Sequence, residues 1–325
     1  MLSRVANSIY WMARYVERAE NLARFVDVNL SLMLDQPAGT EPQWQPLVAA
    51  TGESKAFAER YGEATPESVV QFLTFDRKYP SSMLASLEVA RENARTVREA
   101  ISSEAWEQLN EFYHFVRAAE RDVQRRDALS EFYQSVKQHS HLFSGVLDAT
   151  MSHGEGWHFA NLGRLLERAD MTSRILDVKY FTLLPRIEAV GTTVDDLQWS
   201  AVLRSVSGFE VYRKRHHAIT IERIVGFLVL DNEFPRAIHA CVTRADESLH
   251  RISGSPVGSY RNAAEQSLGR LRSELDYSDV ATIVGIGLHE FIDGLQTRLN
   301  RVDENVRSTF FAPRPAAVQT QRAWS

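Results

Sequence analysis

The residues best suited to chemistry in this chain come in two sets, 150 positions apart. The first holds Arg14, Glu17, Arg18, Glu20, Asn21, Arg24 and Asp27. The second holds Arg164, Glu167, Arg168, Asp170, Arg174 and Asp177. Glu17 and Glu167 are candidate catalytic carboxylates, acting as acid or base. Arg14, Arg18, Arg24, Arg164, Arg168 and Arg174, with Asn21, are candidate substrate-binding groups, because a guanidinium fork matches a carboxylate or phosphate. A structural role competes with this one. Charges three and four residues apart on a helix pair weakly, at a few tenths of a kcal/mol each. Arg–carboxylate clasps between the two copies would use the same residues.

Over fifteen aligned positions, 14–28 against 164–178, seven residues are identical. Agreement between charged residues in both copies calls for a shared site or a paired structural role. Arg18 and Arg168 fall inside the apolar arc of their helices, and a buried guanidinium must find a carboxylate, carbonyls or an anion. Packing about a pseudo-twofold axis could set Glu17 against Arg174 and Glu167 against Arg24.

Other candidates are weaker. His289, in Leu288-His289-Glu290, has a side chain that can titrate near neutral pH. Bundles hold metal pairs with Glu and Glu-x-x-His, but these helices carry Glu-x-x-Glu and Glu-x-x-Asp beside Arg, so no metal and no cofactor is expected. Cys241 has no evident catalytic partner. Nucleotide-binding and nucleophile-elbow motifs are missing from the sequence.

The elements that must position these groups read as helices. Leu2, Val5, Ile9, Met12, Val16, Ala19, Ala23, Val26, Leu30 and Met33 form one seam, and Trp11, Tyr15, Leu22, Phe25 and Leu32 widen it. An apolar face this wide predicts a central helix, ending near Gln36-Pro37-Ala38-Gly39. A second repeat, at offset 155, matches Trp44 with Trp199, 67–73 with 222–228, Asp76 with Asp231 and Pro80 with Pro235. Further helices are expected from Pro80 to Ser102, with Pro80 in the first turn, and over 104–121, 128–151, 194–207, 221–230, 235–252 and 260–275. Another follows Ser278 as N-cap. The expected fold is all-α, about ten to twelve helices in two pseudo-symmetric halves, 1–152 and 153–311, with a disordered tail over 312–325.

The bulk composition fits this reading. Apolar residues make up 44% and charged residues 24%, while Gly (16) and Pro (10) are scarce, as long helices require. A net charge of −5 gives no general attraction to nucleic acid or anionic membrane. One cysteine, no signal-like core and no long apolar run point to the cytoplasm.

The stretches 8–21, 72–76, 90–95, 163–170 and Gly287-Leu288-His289 together resemble the bacterial alpha-E family, a helical domain of unknown function with a Glu-Arg motif. The resemblance spans nearly all of 1–311. It implies partnership with a circularly permuted ATP-grasp ligase, and with transglutaminase-like proteins, in a peptide or amide-bond synthesis system. The leading expectation is a component that binds the ligase or its peptide or amino-acid substrate. The alternative is a stand-alone enzyme acting on such a substrate through the Glu/Arg cluster.

Overall fold

The structure is a computed structural model that describes residues 1–35, 44–120, 126–183 and 193–312. The expected helix end at Gln36–Gly39 and all but the first residue of the expected disordered tail lie outside them. The described residues form α-helices and no strands, as expected for an all-α chain.

The first seven helices are α1 (Ser3–Asp35), α2 (Gln45–Ala50), α3 (Ser54–Tyr61), α4 (Pro66–Val70), α5 (Met83–Thr96), α6 (Ser103–Ala119) and α7 (Arg126–Thr150). The next eight are α8 (Glu155–Leu183), α9 (Thr193–Ser205), α10 (Phe209–Arg215), α11 (Ile221–Val225), α12 (Ile238–Ser253), α13 (Ala263–Asp276), α14 (Val280–Ile286) and α15 (Leu288–Val306). These fifteen helices among the described residues exceed the ten to twelve read from periodicity because several, such as α2 and α4, are too short to show a period.

From α8 onward the order of α1 to α7 repeats, with α14 inserted before α15. At offset 155 the correspondence extends to single residues. Thr65 caps α4 and Thr220 caps α11, each accepting from a backbone N–H three residues on. Both helices widen into a π-turn, Gln71–Phe75 and Gly226–Leu230. Each π-turn ends on an aspartate clamped by an arginine from the preceding helix, Arg60 to Asp76 at 2.5 Å and Arg215 to Asp231 at 2.6 Å. Pro80 proves to lie in the turn after Asp76. Ser82 caps α5 instead, because its hydroxyl can accept from Ala85 N. Similarly Asp279, not Ser278, caps α14.

Two apolar clusters fill the molecule, one drawn mainly from residues 6–160 and the other from 162–306 with Tyr10. The long helices α1 and α8 pack along each other between them. α1 also packs on α5 and α7, and α8 on the corresponding α12 and α15. The α1 seam is buried from Ile9 to Val26, and so is its polar arc, Tyr10, Arg14, Glu17, Glu20, Asn21, Arg24 and Asp27. Burial on both faces makes α1 central, as the width of its apolar surface predicts. The two helices come close at Gly163. A Cβ there would meet the Tyr10 carbonyl oxygen and lie 3.1 Å from Arg14 Cγ.

Candidate functional site

Along the α1–α8 contact the polar residues pair reciprocally. Arg18 donates from Nε to Glu167 Oε1 at 2.6 Å and from Nη2 to Oε2 at 3.0 Å. Arg168 donates from Nε to Glu17 Oε1 at 2.9 Å and from Nη2 to Oε2 at 2.7 Å. Both clasps are bidentate, the geometry in which a guanidinium binds a carboxylate most strongly. Each takes one partner from each long helix. Glu17 and Glu167 are both 1% exposed, so the charges meet each other rather than water.

A second arginine closes each carboxylate. Arg14 donates from Nε to Glu167 Oε2 at 2.9 Å, and from Nη1 to Tyr10 Oη at 3.2 Å and to Asp303 on α15. Arg236, in the turn before α12, donates to Glu17 Oε1 at 3.1 Å, to Asn21 Oδ1 at 2.9 Å and to Glu20. Arg24 holds Glu20 from its own helix at 2.8 and 2.9 Å. Ser140 and His141 of α7 complete that carboxylate at 2.7 and 3.1 Å. Arg174 pairs with Asp170 at 2.8 Å and donates to the Ala50 carbonyl at 2.9 Å.

The expected pairs Glu17–Arg174 and Glu167–Arg24 do not form. The reciprocal clasps join 17 to 168 and 18 to 167, a register that brings the 17–18 turn onto the 167–168 turn. Residues 24 and 174 lie about two turns further along their helices, so each reaches back four residues for its carboxylate. Arg24 also donates to Ser207 Oγ at 2.6 Å. Ser207 has φ +54°, and its counterpart at offset 155 is Gly52, φ +76°. A serine therefore accepts the left-handed backbone here while its hydroxyl binds Arg24.

The electrostatics follow from this crowding. Burial alone would raise the Glu167 carboxyl, but Arg18 and Arg14 outweigh it and hold the pKa at about 2. Glu17 is likewise lowered, burial being overcome by Arg168 and Arg236. Burial draws Arg236 down to about 10 against the pull of Glu20 and Glu17, so it stays charged at neutral pH. Neither glutamate has a proton to give near pH 7, and both oxygens of each are bonded to guanidinium groups. The arrangement suits holding charge and shape more than transferring a proton.

Two cavities reach this centre. One, about 130 Å³, is bounded by Arg18, Ser81, Glu167, Asp170 and Arg174, with Leu22, Phe25 and Met171 as apolar wall. Asp170 Oδ1 is buried beside it without a hydrogen-bond partner among the described residues. The other, about 360 Å³, lies between α1, α7 and α8 and is bounded by Glu17, Asp148, Trp157 and Arg164.

His289 stands apart. Its Nδ1 meets Asp177 Oδ1 at 2.7 Å, and this hydrogen bond raises the imidazole pKa. Asp177 follows Glu167 by ten residues, about 15 Å along α8. Among the described residues, no group of three or more His, Cys, Asp or Glu is arranged to hold a metal ion. Cys241 is buried, and burial pushes its thiol up to about 11.

Sequence reasoning missed Arg236, Asp303, Tyr10 and Ser81. Arg236 directly follows Pro235, which had been matched to Pro80. Reading one residue further aligns it with Ser81 and reveals a charge present in only one copy.

The class is thus an all-α protein whose two longest described helices are locked by reciprocal Glu–Arg pairs. The chain belongs to the Alpha-E family, described as "a predicted alpha-helical domain with a conserved ER motif", which matches residues 1–311. It is similar to an uncharacterized protein of Mycobacterium bovis, 25% identical over 336 aligned residues that cover 95% of this chain and 37% of the relative. Two uncharacterized proteins of Mycobacterium tuberculosis are 25% and 24% identical with the same coverage. The chain therefore spans little more than a third of the length of these relatives. No solved structure matches. Among the described residues no helix is long and apolar enough to cross a membrane.

Proposed function

We propose that this chain is the partner or substrate-binding component of a cytoplasmic, ATP-grasp-dependent peptide or amide-bond synthesis or modification system. It works beside a circularly permuted ATP-grasp ligase, with a transglutaminase-like protein as a further associate. The observation that carries this reading is the sealing of Glu17 and Glu167 into bidentate arginine pairs with lowered pKa values. A general acid or base needs a proton-exchanging group open to substrate, and these two carboxylates are committed to guanidinium groups. What the polar centre offers instead is a rigid frame with cavities at its flanks, able to take a small polar ligand. The far greater length of the mycobacterial relatives is in keeping with a domain that acts alongside other domains.

The test is copurification with the ligase encoded beside it, followed by amide-forming assays with and without the chain. The expected result is ATP-dependent amide formation that needs the ligase and is enhanced or redirected by the chain. In Glu17→Gln and Glu167→Gln proteins, the loss of that effect should follow the loss of stability. A reaction catalysed by the purified chain alone, and lost in a stably folded Glu17→Gln protein, overturns the proposal in favour of an enzyme.

A further inference from the structure

We infer that the cavity around Arg164 is a binding site for a small carboxylate-bearing ligand. The inference comes from comparing the two members of one repeated position and does not depend on the ligase reading.

Arg14 and Arg164 correspond at offset 150. Around Arg14 the space is filled from within the chain. Tyr10, one turn earlier, places its hydroxyl 3.2 Å from Arg14 Nη1, and Asp303 of α15 takes both the guanidinium and the Tyr10 hydroxyl, the latter at 2.7 Å. The cation is thereby closed by a carboxylate.

Around Arg164 neither contact is made: Asp148, the match of Asp303 at offset 155, borders the cavity but forms no ion pair with Arg164 among the described residues. The position of Tyr10 is taken by Ala160. The helix corresponding to α15 is α7, and it presents Phe143, Ser144, Leu147 and Asp148 to the cavity. Arg164 makes one hydrogen bond among the described residues, from Nη2 to Asn161 Oδ1 at 2.6 Å, and forms no ion pair there. Burial lowers the pKa of Arg164, and Arg168 lowers it further against the pull of Glu17. The part-buried Arg164 has no carboxylate within hydrogen-bond reach among the described residues, whereas Arg14, Arg18, Arg24, Arg168 and Arg236 each have one.

The void is built into the helix crossing. On the filled side the bulky Tyr10 packs over Gly163, where no Cβ fits. On the open side Ala13 and Ala160 take the corresponding places, and both border the cavity. Its volume of about 360 Å³ is ample for a ligand of amino-acid or dipeptide size. The chemistry selects among anions. Asn161 takes one of the two Nη2 hydrogens of Arg164, so a planar monoanion can still engage the guanidinium as a fork through Nη2 and its neighbour Nε or Nη1. Glu17 and Asp148 in the lining repel a phosphate dianion about twice as strongly as a monoanion, and Asp148 can receive an amine carried beside the carboxylate. The Trp157 indole adds an apolar surface.

The probes are acetate, L-alanine and the dipeptide Ala-Ala, with acetamide, alaninamide and Ala-Ala amide as uncharged-terminus controls and inorganic phosphate as the competing anion. Binding to the full chain is read from the Trp157 indole resonance, identified by its loss in Trp157→Phe. Saturable shifts are expected with the carboxylates, at least tenfold weaker with the amides and with phosphate, for the loss of one charge-assisted pair. Arg164→Gln should lose tenfold or more in affinity. The pair Ala13→Gly and Ala160→Tyr, which rebuilds the filled side, should abolish binding. Should that double variant fail to fold, Arg164→Gln decides alone. The inference is overturned if none of the carboxylates binds, if amides or phosphate bind as well as carboxylates, or if Arg164→Gln retains wild-type affinity.

Discussion

The Glu17–Arg168 clasp should behave as one unit, which a double-mutant cycle measures. Its two hydrogen bonds, at 2.9 and 2.7 Å, join a glutamate side chain 1% exposed to an arginine side chain 11% exposed. Glu17→Gln leaves Arg168 buried without a carboxylate, and Arg168→Met leaves Glu17 with Arg236 and Asn21 alone. Breaking one partner of a buried pair costs about 3–5 kcal/mol. In the combined variant neither charge is stranded, and Arg236 still has Glu20 and Asn21. The double variant should therefore recover about 3 kcal/mol relative to the sum of the singles. Urea unfolding followed by far-UV circular dichroism supplies the numbers. With a slope of about 3 kcal/mol/M, each single variant should move the midpoint down by more than about 1 M. Single variants that each shift it by less than about 0.3 M, or a double variant whose loss equals the sum, would refute the clasp as a buried, coupled pair.

Acid stability should carry the signature of Glu167. Its folded pKa of about 2 lies below the model-peptide value of 4.5, so its contribution, on the order of 3 kcal/mol, is present above about pH 4.5 and is lost as pH falls through 2. Urea midpoints measured across that range should lose this part of their pH dependence in Glu167→Gln. Gly163→Ala should cost about 1–3 kcal/mol by overpacking, read as a fall in melting temperature, and Tyr10→Phe should not rescue it because the obstruction is the Tyr10 carbonyl. Cys241, buried with its thiol raised to about 11, should react with a thiol reagent only as fast as the protein unfolds. Rapid labelling of native protein would contradict its burial.

Much of this centre was readable from residue types because the repeat doubles the signal. The Glu-Arg turns, the matched segments at offset 155 and the seam of α1 all rest on local periodicity. The pairing pattern was not readable, since helix register depends on where two helices cross, and a close contact such as Gly163 against the Tyr10 carbonyl is not visible in periodicity. Arg236 and Asp303 escaped for another reason. Arg236 comes from a distant element and occurs in one copy only, so no repeat marks it, while Asp303, matched by Asp148 at offset 155, lies far along the chain from Arg14. His289 was a candidate by its chemistry alone, and its partner Asp177 lies about 15 Å along α8 from Glu167.

The reciprocal clasps have the logic of an isologous dimer, in which residue i of one subunit meets j of the other and j meets i. Joining both copies in one chain removes a constraint that true subunits obey. In a homodimer any change is written twice, so a tyrosine that plugs one side plugs the other. Here Tyr10 has Ala160 as its counterpart, and Ser81 has Arg236, at positions that in a homodimer would hold the same residue. Covalent linkage lets one side stay shut and serve as scaffold while its twin is free to open. It also sets a one-to-one stoichiometry, with one cavity of this kind per chain among the described residues.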